Sequence, residues 1–344
     1  MSASGVALRS RGDAARDASG DLATARGAAR PGLWLGGLAA GLVWLAAAAV
    51  IALPEDRIEV GRTQELALLA ALLGGLLLLA GLAAAWSGRA GERLRPLGPW
   101  LAVLGLGLIG WELLTAKFAL LPLPFFASPQ GLLEVYLEDW PRLGESVLRS
   151  LWLLATGYAL GAAAGFVAGV ALGWSRAIGY WVHPVLRLIG PLPATAWLPV
   201  AFFVFPSSGS ASTFLVALAA WFPVTVLTWS GVAGVNKAYY DIARTLGASQ
   251  AFLVLKVAVP AALPQVFVGL FMGLGASFSV LVVAEMLGVK AGLGWYLQWA
   301  QGWAAYGNMY AALIVMALMC SGLTTLLFKS RDRLLAWQKG TVRW

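Results

Sequence analysis

The sequence predicts an all-α polytopic membrane protein, and three observations carry that prediction. Hydrophobic residues make up 60% of the 344 residues and charged residues only 12%, against about 25% charged in a soluble domain. Asp, Glu, Lys and Arg are absent from Leu33–Leu53, Leu66–Trp86, Ser150–Ser175, Leu188–Asn236, Val257–Ala284 and Ala291–Phe328. A spanning helix needs about 20 mostly apolar residues, so each run can cross a bilayer and Leu188–Asn236 can cross twice. One more span begins at Leu97 and passes Glu112 toward Leu120, which makes eight. The third observation is charge asymmetry. The N-terminal tail and segments 87–96, 176–187, 236–256 and 329–344 hold 18 Lys and Arg, and the intervening loops hold 6. Acidic residues divide the other way, 6 against 10. Short basic loops stay cytoplasmic, so both termini and the 236–256 loop are expected in the cytosol.

From the N-terminus onward, each element has its own reason. Residues 1–31 are rich in Ala, Gly, Arg and Asp without an apolar core, so a disordered cytoplasmic tail is expected rather than a cleavable signal peptide. Residues 32–95 read as a two-helix hairpin joined by the charged turn Pro54–Glu65. Its Leu/Ala/Gly spans offer nothing to line a path for an ion, so transport should survive its removal. Six spans remain in 96–335, and 336–344 forms a second cytoplasmic tail. The outside segment Leu121–Gly144 carries Pro122, Pro124 and Pro129, then LLEVYLEDW, which suits a short helix lying at the interface. Gly157, Gly161, Gly165, Gly169 and Gly173 recur every four residues and so share one helix face, for close packing or for a moving gate. The single cysteine, Cys320, lies inside the last span and excludes an intrachain disulfide.

The loop 236–260 has its own local logic. Asn236 is placed to cap a helix over Lys237–Leu246, and Gly247 suits the left-handed turn that ends one. Ser249 can cap a second helix, Gln250–Ala258, and Pro260 stands where the next span begins. Helix, turn, helix and span make a short, exposed and rigid unit. Within it Asp241-Ile242-Ala243 is followed after three residues by Gly247, and after nine more by Val257-Ala258-Val259-Pro260. That spacing resembles the Glu-Ala-Ala loop through which membrane subunits of bacterial ATP-binding-cassette (ABC) importers engage their ATPases. Asp stands for Glu, Ile for Ala, and Val for both Ile and Leu.

Motifs on both sides of the loop sharpen the resemblance. VPAALP, VGL, AEMLG and GLG within 257–294 are similar to permeases of the nitrate, sulfonate and taurine importer family. So are WELL at 111–114, the LPLP and SP of 121–129, RSLW at 149–152, HPVLRLIGPLPATAWLP at 183–199 and FPVTVLTWSGV at 222–232. The resemblance covers roughly residues 97–335. It implies a six-helix type I importer core, to which this chain adds the N-terminal hairpin, in a bacterial inner membrane. The implied partners are a cytoplasmic ATPase dimer that binds the ATP, an external substrate-binding protein and a second copy of the permease. It implies that Asp241, Ile242, Ala243, Gly247, Val257, Val259 and Pro260 form the ATPase-coupling loop. Two departures bear on substrate and partners. The turn after the third core span is the uncharged Phe205–Ser210, where the family carries a glycine-rich, often charged one, and the hairpin is additional.

Other functions lack their residues. No G-x-x-x-x-G-K-[ST] phosphate loop occurs, so this chain cannot be the ATPase and needs no cofactor of its own. The only histidine, His183, precedes Pro184 in an expected cytoplasmic turn without Cys or carboxylate neighbours, which argues against a metal site. No basic soluble domain exists to bind nucleic acid. An intramembrane enzyme would need a polar pair at bilayer depth. An ion-coupled transporter or channel, the alternative reading, would show inverted repeats or midplane charge. Ser277 and Ser279 are candidate pore-facing hydroxyls, with helix-to-helix hydrogen bonding as the plainer role. Glu285, about 30 Å along a helix from Leu263, is a candidate gate or docking residue near the outer interface. Trp295, Trp299 and Trp303 suit an aromatic belt beside it.

Overall fold

The computed structural model describes residues 33–59, 61–83, 94–121, 123–190 and 192–337; the expected tail over 1–31 and all but the first two residues of that over 336–344 lie outside them. The described residues are helical, in the order α1 Leu35–Ala52, α2 Thr63–Ala83, α3 Gly98–Glu112, α4 Pro129–Glu138, α5 Trp140–Trp174, α6 Arg176–Ile189, α7 Leu198–Val204, α8 Ser208–Ala233, α9 Lys237–Thr245, α10 Gln250–Phe252, α11 Val259–Gly288, α12 Leu293–Gly302 and α13 Tyr306–Leu334. Seven stretches are long and apolar enough to span a membrane. An eighth arises if α6 and the segment Ala194–Val204, which meet at 88°, make one broken span. Seven of the eight expected spans are thus recovered, and the expected fifth corresponds to the broken pair, which starts at Arg176 rather than Leu188.

Two compact units emerge, residues up to 123 with 128–133, and 124–127 with 134 onward. The first holds α1, α2 and α3, so compactness carries the N-terminal unit past Arg95, where the motifs divide the chain. The hairpin closes through small residues: a Cβ on Gly41 would lie 2.9 Å from the Gly74 carbonyl oxygen, and one on Gly74 3.0 Å from that of Gly41. The Trp44 indole N–H donates to the Leu101 carbonyl at 2.9 Å, tying α1 to α3.

At one end of this unit sits a buried charge cluster that the sequence did not reveal. Lys117 lies in the π-helical turn Leu113–Lys117 that ends α3. Its Nζ donates to the carbonyls of Ile51 (2.7 Å) and Pro54 (2.8 Å) and lies 2.7 Å from Asp56 Oδ1. Of the three donors of an ammonium, two go to these carbonyls, and Asp56 adds an ion pair. Glu112, fully buried, lies 3.6 Å from Lys117 and accepts from Gln130 Nε2 at 2.6 Å. Asp56 also accepts from the Thr63 hydroxyl at 3.0 Å. The hairpin thus solvates a lysine that belongs to the next helix. Removal of the hairpin would strand that lysine, a cost in stability that the expectation of surviving transport does not include.

In the second unit α8 lies between α5 and α11. The glycine stripe of α5 is the α5–α8 contact: Cβ atoms on Gly157, Gly165 and Gly169 would come within 2.5–2.7 Å of Val216, the Trp221 carbonyl and Thr228. Gly161 faces the Ala217 carbonyl oxygen. Close packing, the plainer of the two readings, accounts for the stripe. On the other side Gly269 and Gly273 of α11 admit Val224 and Ala220 of α8. Half of the most apolar stretch of α8 is buried inside the protein.

Two local expectations change. The second helix of the loop does not stand alone: α10 passes through the π-helical segment Leu253–Ala258 directly into α11. Pro260 has no N–H to give the carbonyl four residues back, and a widened π turn precedes it. Of the three tryptophans, only Trp303 is strongly exposed (76%). Trp295 and Trp299 pack on the cluster of Leu143, Tyr296, Leu297 and Met316.

Candidate functional site

The loop between α8 and α11 forms a projecting knob. Asn236 accepts from the Ala238 N–H at 3.0 Å and starts α9. At the other end Gly247 has φ +80°. Its N–H donates to the Arg244 carbonyl at 2.9 Å, and that of Ala248 to the Ala243 carbonyl at 3.0 Å. These are the paired bonds of a glycine-terminated helix end. Ser249 then caps α10 by accepting from the Phe252 N–H at 3.3 Å.

No residue of α9 is buried. Asp241 is exposed and makes a 3.7 Å ion pair with Arg244. Ile242 is 61% exposed, and Tyr239, Leu246, Phe252 and Leu255 are exposed beside it. Ala243, Val257, Val259 and Pro260 are half-buried. A cluster of exposed apolar side chains on a polar loop marks an interaction surface.

The knob is fastened to three helices. It continues α8 through Gly234–Asn236 and feeds α11 through the π turn. Tyr240 meets Trp174, the last residue of α5, edge to face at 5.7 Å. Val232, Ala258 and Ala262 form a buried cluster beneath, packed by Val170, Trp174 and Tyr240. Burial there pushes the Tyr240 phenol above its ordinary pKa. A force on α9 therefore acts on α5, α8 and α11 together.

The other predicted residues separate. Ser277 is fully buried and its hydroxyl donates to the Val216 carbonyl at 3.0 Å. It joins α11 to α8 and faces no open space, so the pore-facing reading gives way to the plainer one. Ser279 is exposed, bonds back to Gly275 at 3.1 Å, and lines an open cleft of about 450 Å³ with Thr195, Phe222 and Pro223.

Glu285 is 1% exposed. Ser150 Oγ lies 2.7 and 2.8 Å from its two carboxylate oxygens and accepts from the Leu293 N–H at 2.8 Å. The Gly294 N–H donates to Glu285 Oε2 at 2.8 Å. Gly292, at φ +124°, brings the start of α12 onto the carboxylate, where a Cβ would stand 2.5 Å from Glu285 Cδ. The clasp joins α5, α11 and α12, with the carboxylate at the positive end of α12. With its carboxylate so engaged, Glu285 serves as a fastening rather than an exposed docking residue.

Sequence reasoning missed the partners of Glu285. RSLW, AEMLG and GLG all stood out as motifs, but Ser150 and Glu285 are 135 positions apart, beyond the reach of any local period. It also missed Tyr296, whose hydroxyl donates to Asp139 Oδ2 at 2.6 Å and accepts from Asn308 Nδ2 at 2.7 Å. Burial and the Asp139 bond raise that phenol well above its ordinary range. His183 lies within α6, not in a turn, with its ring 4.4 Å from that of Trp229. Among the described residues no three of His, Cys, Asp and Glu come together as metal ligands do.

Comparison with known proteins agrees on one family. Residues 161–337 match the family model described as binding-protein-dependent transport system inner membrane component. The nitrate import permease NrtB of Synechococcus elongatus is 29% identical over 257 residues, covering 71% of this chain and 89% of that protein. A probable ABC transporter permease of Brucella abortus (strain 2308) is 31% identical over 249 residues, covering 72% of this chain and 98% of that protein. The bicarbonate transport permease CmpB of Synechococcus elongatus is 32% identical over 195 residues, covering 55% of this chain and 66% of that protein.

Proposed function

Since the chain belongs to the binding-protein-dependent transport inner membrane component family, we propose that it is the permease of an ATP-driven importer for a small anion, acting as a homodimer in a bacterial inner membrane. The observation that carries the coupling role is the knob: an exposed apolar surface closed by Gly247 and fastened to α5, α8 and α11. ATP binds to a cytoplasmic partner, whose two subunits draw together and carry the knobs of two permease copies with them. The attached helices follow as rigid bodies. A separate binding protein delivers the substrate from outside. Nitrate and bicarbonate permeases among the relatives favour a small oxyanion, and taurine and other sulfonates belong to the same chemical range.

Reconstituted with its ATPase and binding protein in proteoliposomes, the permease should accumulate one of nitrate, bicarbonate or an alkanesulfonate only when ATP reaches the ATPase. Uptake driven by an ion gradient without ATP would replace this reading with an ion-coupled one. The proposed orientation has its own check. In a Cys320→Ala background, Ser208→Cys should react with an impermeant thiol reagent on intact cells and Ser249→Cys should not. Both positions are exposed, so labelling of Ser249→Cys from outside would reverse the topology. Ser128, in the same outside segment as α4, is 1% exposed and would make a poor reporter.

A further inference from the structure

The last turn of α6 carries a charge that nothing in its surroundings neutralises. Arg187 is exposed, and among the described residues it has no ion pair. The chain has no acidic residue at all between Glu145 and Asp241, so α6, α7 and α8 contain no carboxylate. Of the nearest acids beyond them, Glu285 is held in its clasp and Asp241 pairs with Arg244.

Arg187 opens onto a cleft of about 610 Å³ with His183, Phe222, Val226 and Trp229. His183 is one turn before Arg187 on the same helix face, its ring laid against Trp229. This cleft shares Gly190 and Phe222 with the cleft of about 450 Å³ that holds Thr195 and Ser279. They lie along one flank of α8, and Gly190 packs against Phe222 between them: a Cβ there would stand 2.5 Å from the ring. Their lining is apolar, apart from two hydroxyls toward one end and His183 and Arg187 toward the other.

Depth gives the charge its meaning. Trp229, Val226 and Phe222 lie four, seven and eleven residues before Ala233, the last residue of α8. At ~1.5 Å per residue they stand about 6, 10 and 16 Å in from that end of a helix long and apolar enough to span a membrane. An unpaired cation at that depth is costly, and such residues usually face a polar path and hold a ligand.

The geometry points to Arg187, positioned beside His183 in the α6–α8 groove, as the group that contacts a planar oxyanion on the inner part of the translocation path. A guanidinium matches the planar O–C–O or O–N–O edge with two parallel N–H donors, which a lysine cannot do. The two hydroxyls farther along offer weaker donors, so an anion moving inward meets increasing positive potential before release. The inference rests on the permease reading and adds to it the residue that selects charge and shape.

Two measurements on the full complex test it. In ATP-driven uptake of nitrate and bicarbonate, Arg187→Gln should lower uptake at least about tenfold, equivalent to about 1.4 kcal/mol, with ATPase association unchanged. Arg187→Lys should recover only part of it. The second measurement needs no transport. Val226→Cys in a Cys320→Ala background should react faster with an anionic than a cationic methanethiosulfonate, and Arg187→Gln should cut that rate ratio by about tenfold. Nitrate should slow the anionic reaction only when Arg187 is present. Uptake and rate ratio both unaffected by Arg187→Gln, in a complex that transports, would overturn the inference and leave the permease reading intact. Full activity of Arg187→Lys together with a nitrate-insensitive rate would assign the residue to lipid phosphate contact and overturn it as well. If the wild-type complex moves none of the anions, the functional reading fails and takes this one with it.

Discussion

Gly247→Val should abolish ATP-driven uptake while leaving the permease in the membrane at close to wild-type abundance. The residue sits at φ +80°, where a side chain forces Cβ against its own carbonyl, and a β-branched one most of all. A Cβ at this position meets nothing within 4 Å, so the effect is conformational and not a clash with a neighbour. To relieve the strain, the turn must give up the bonds from Gly247 to Arg244 and from Ala248 to Ala243. Strain of about 1–2 kcal/mol is small against the stability of the whole protein, but it is concentrated in a unit with no buried residues of its own. The knob should therefore lose its shape before the core does. Uptake should fall at least about tenfold, with loss of ATPase co-purification and normal behaviour in size-exclusion chromatography. Gly247→Asn, which tolerates a left-handed backbone, should retain most activity. Normal uptake by the valine variant would remove the knob from the coupling mechanism.

Lys117→Met should be among the most destabilising single substitutions in the protein. The lysine is 4% exposed and holds Asp56, Glu112 and the carbonyls of Ile51 and Pro54 around one ammonium. Removing one partner of a buried ion pair costs about 3–5 kcal/mol, because the charge left behind has lost both water and its counter-charge. Pairing the substitution with Glu112→Gln should restore part of the loss, with a coupling of about 0.5–3 kcal/mol between the two sites. Thermal unfolding in detergent, followed by aggregation, supplies the ranking. Deleting residues 1–90 should act like the single substitution, since it removes Ile51, Pro54 and Asp56 at once, and lower membrane abundance should result. Lys117→Met with wild-type heat stability would show that the cluster contributes nothing to stability.

Much of this protein is determined along the chain itself. Long apolar runs select spanning helices because an unpaired peptide group has no partner in hydrocarbon. Asn236, Gly247 and Ser249 select the ends of the loop helices through hydrogen bonds that reach only a few residues, so the knob is legible at the same range. Glycines repeated every four residues mark a packing face, because the helix period brings them into one line.

Meetings between distant positions are left open by the sequence. Ser150 finds Glu285 across 135 residues, and Lys117 finds Ile51 across 66. Ser277 turns inward to Val216 while Ser279, two positions on, faces a cleft. A helical period places two such hydroxyls on different faces but does not say which face is covered; the packing of α8 against α11 decides that. Arg187 likewise reads in the sequence as the last charge of a cytoplasmic loop. Only the 88° break after α6 and the contact with α8 carry it inside a groove, without an acid to neutralise it. The physical reason is range: capping, periodicity and turn conformation act within about one helical turn, whereas burial and charge compensation depend on which helices lie side by side.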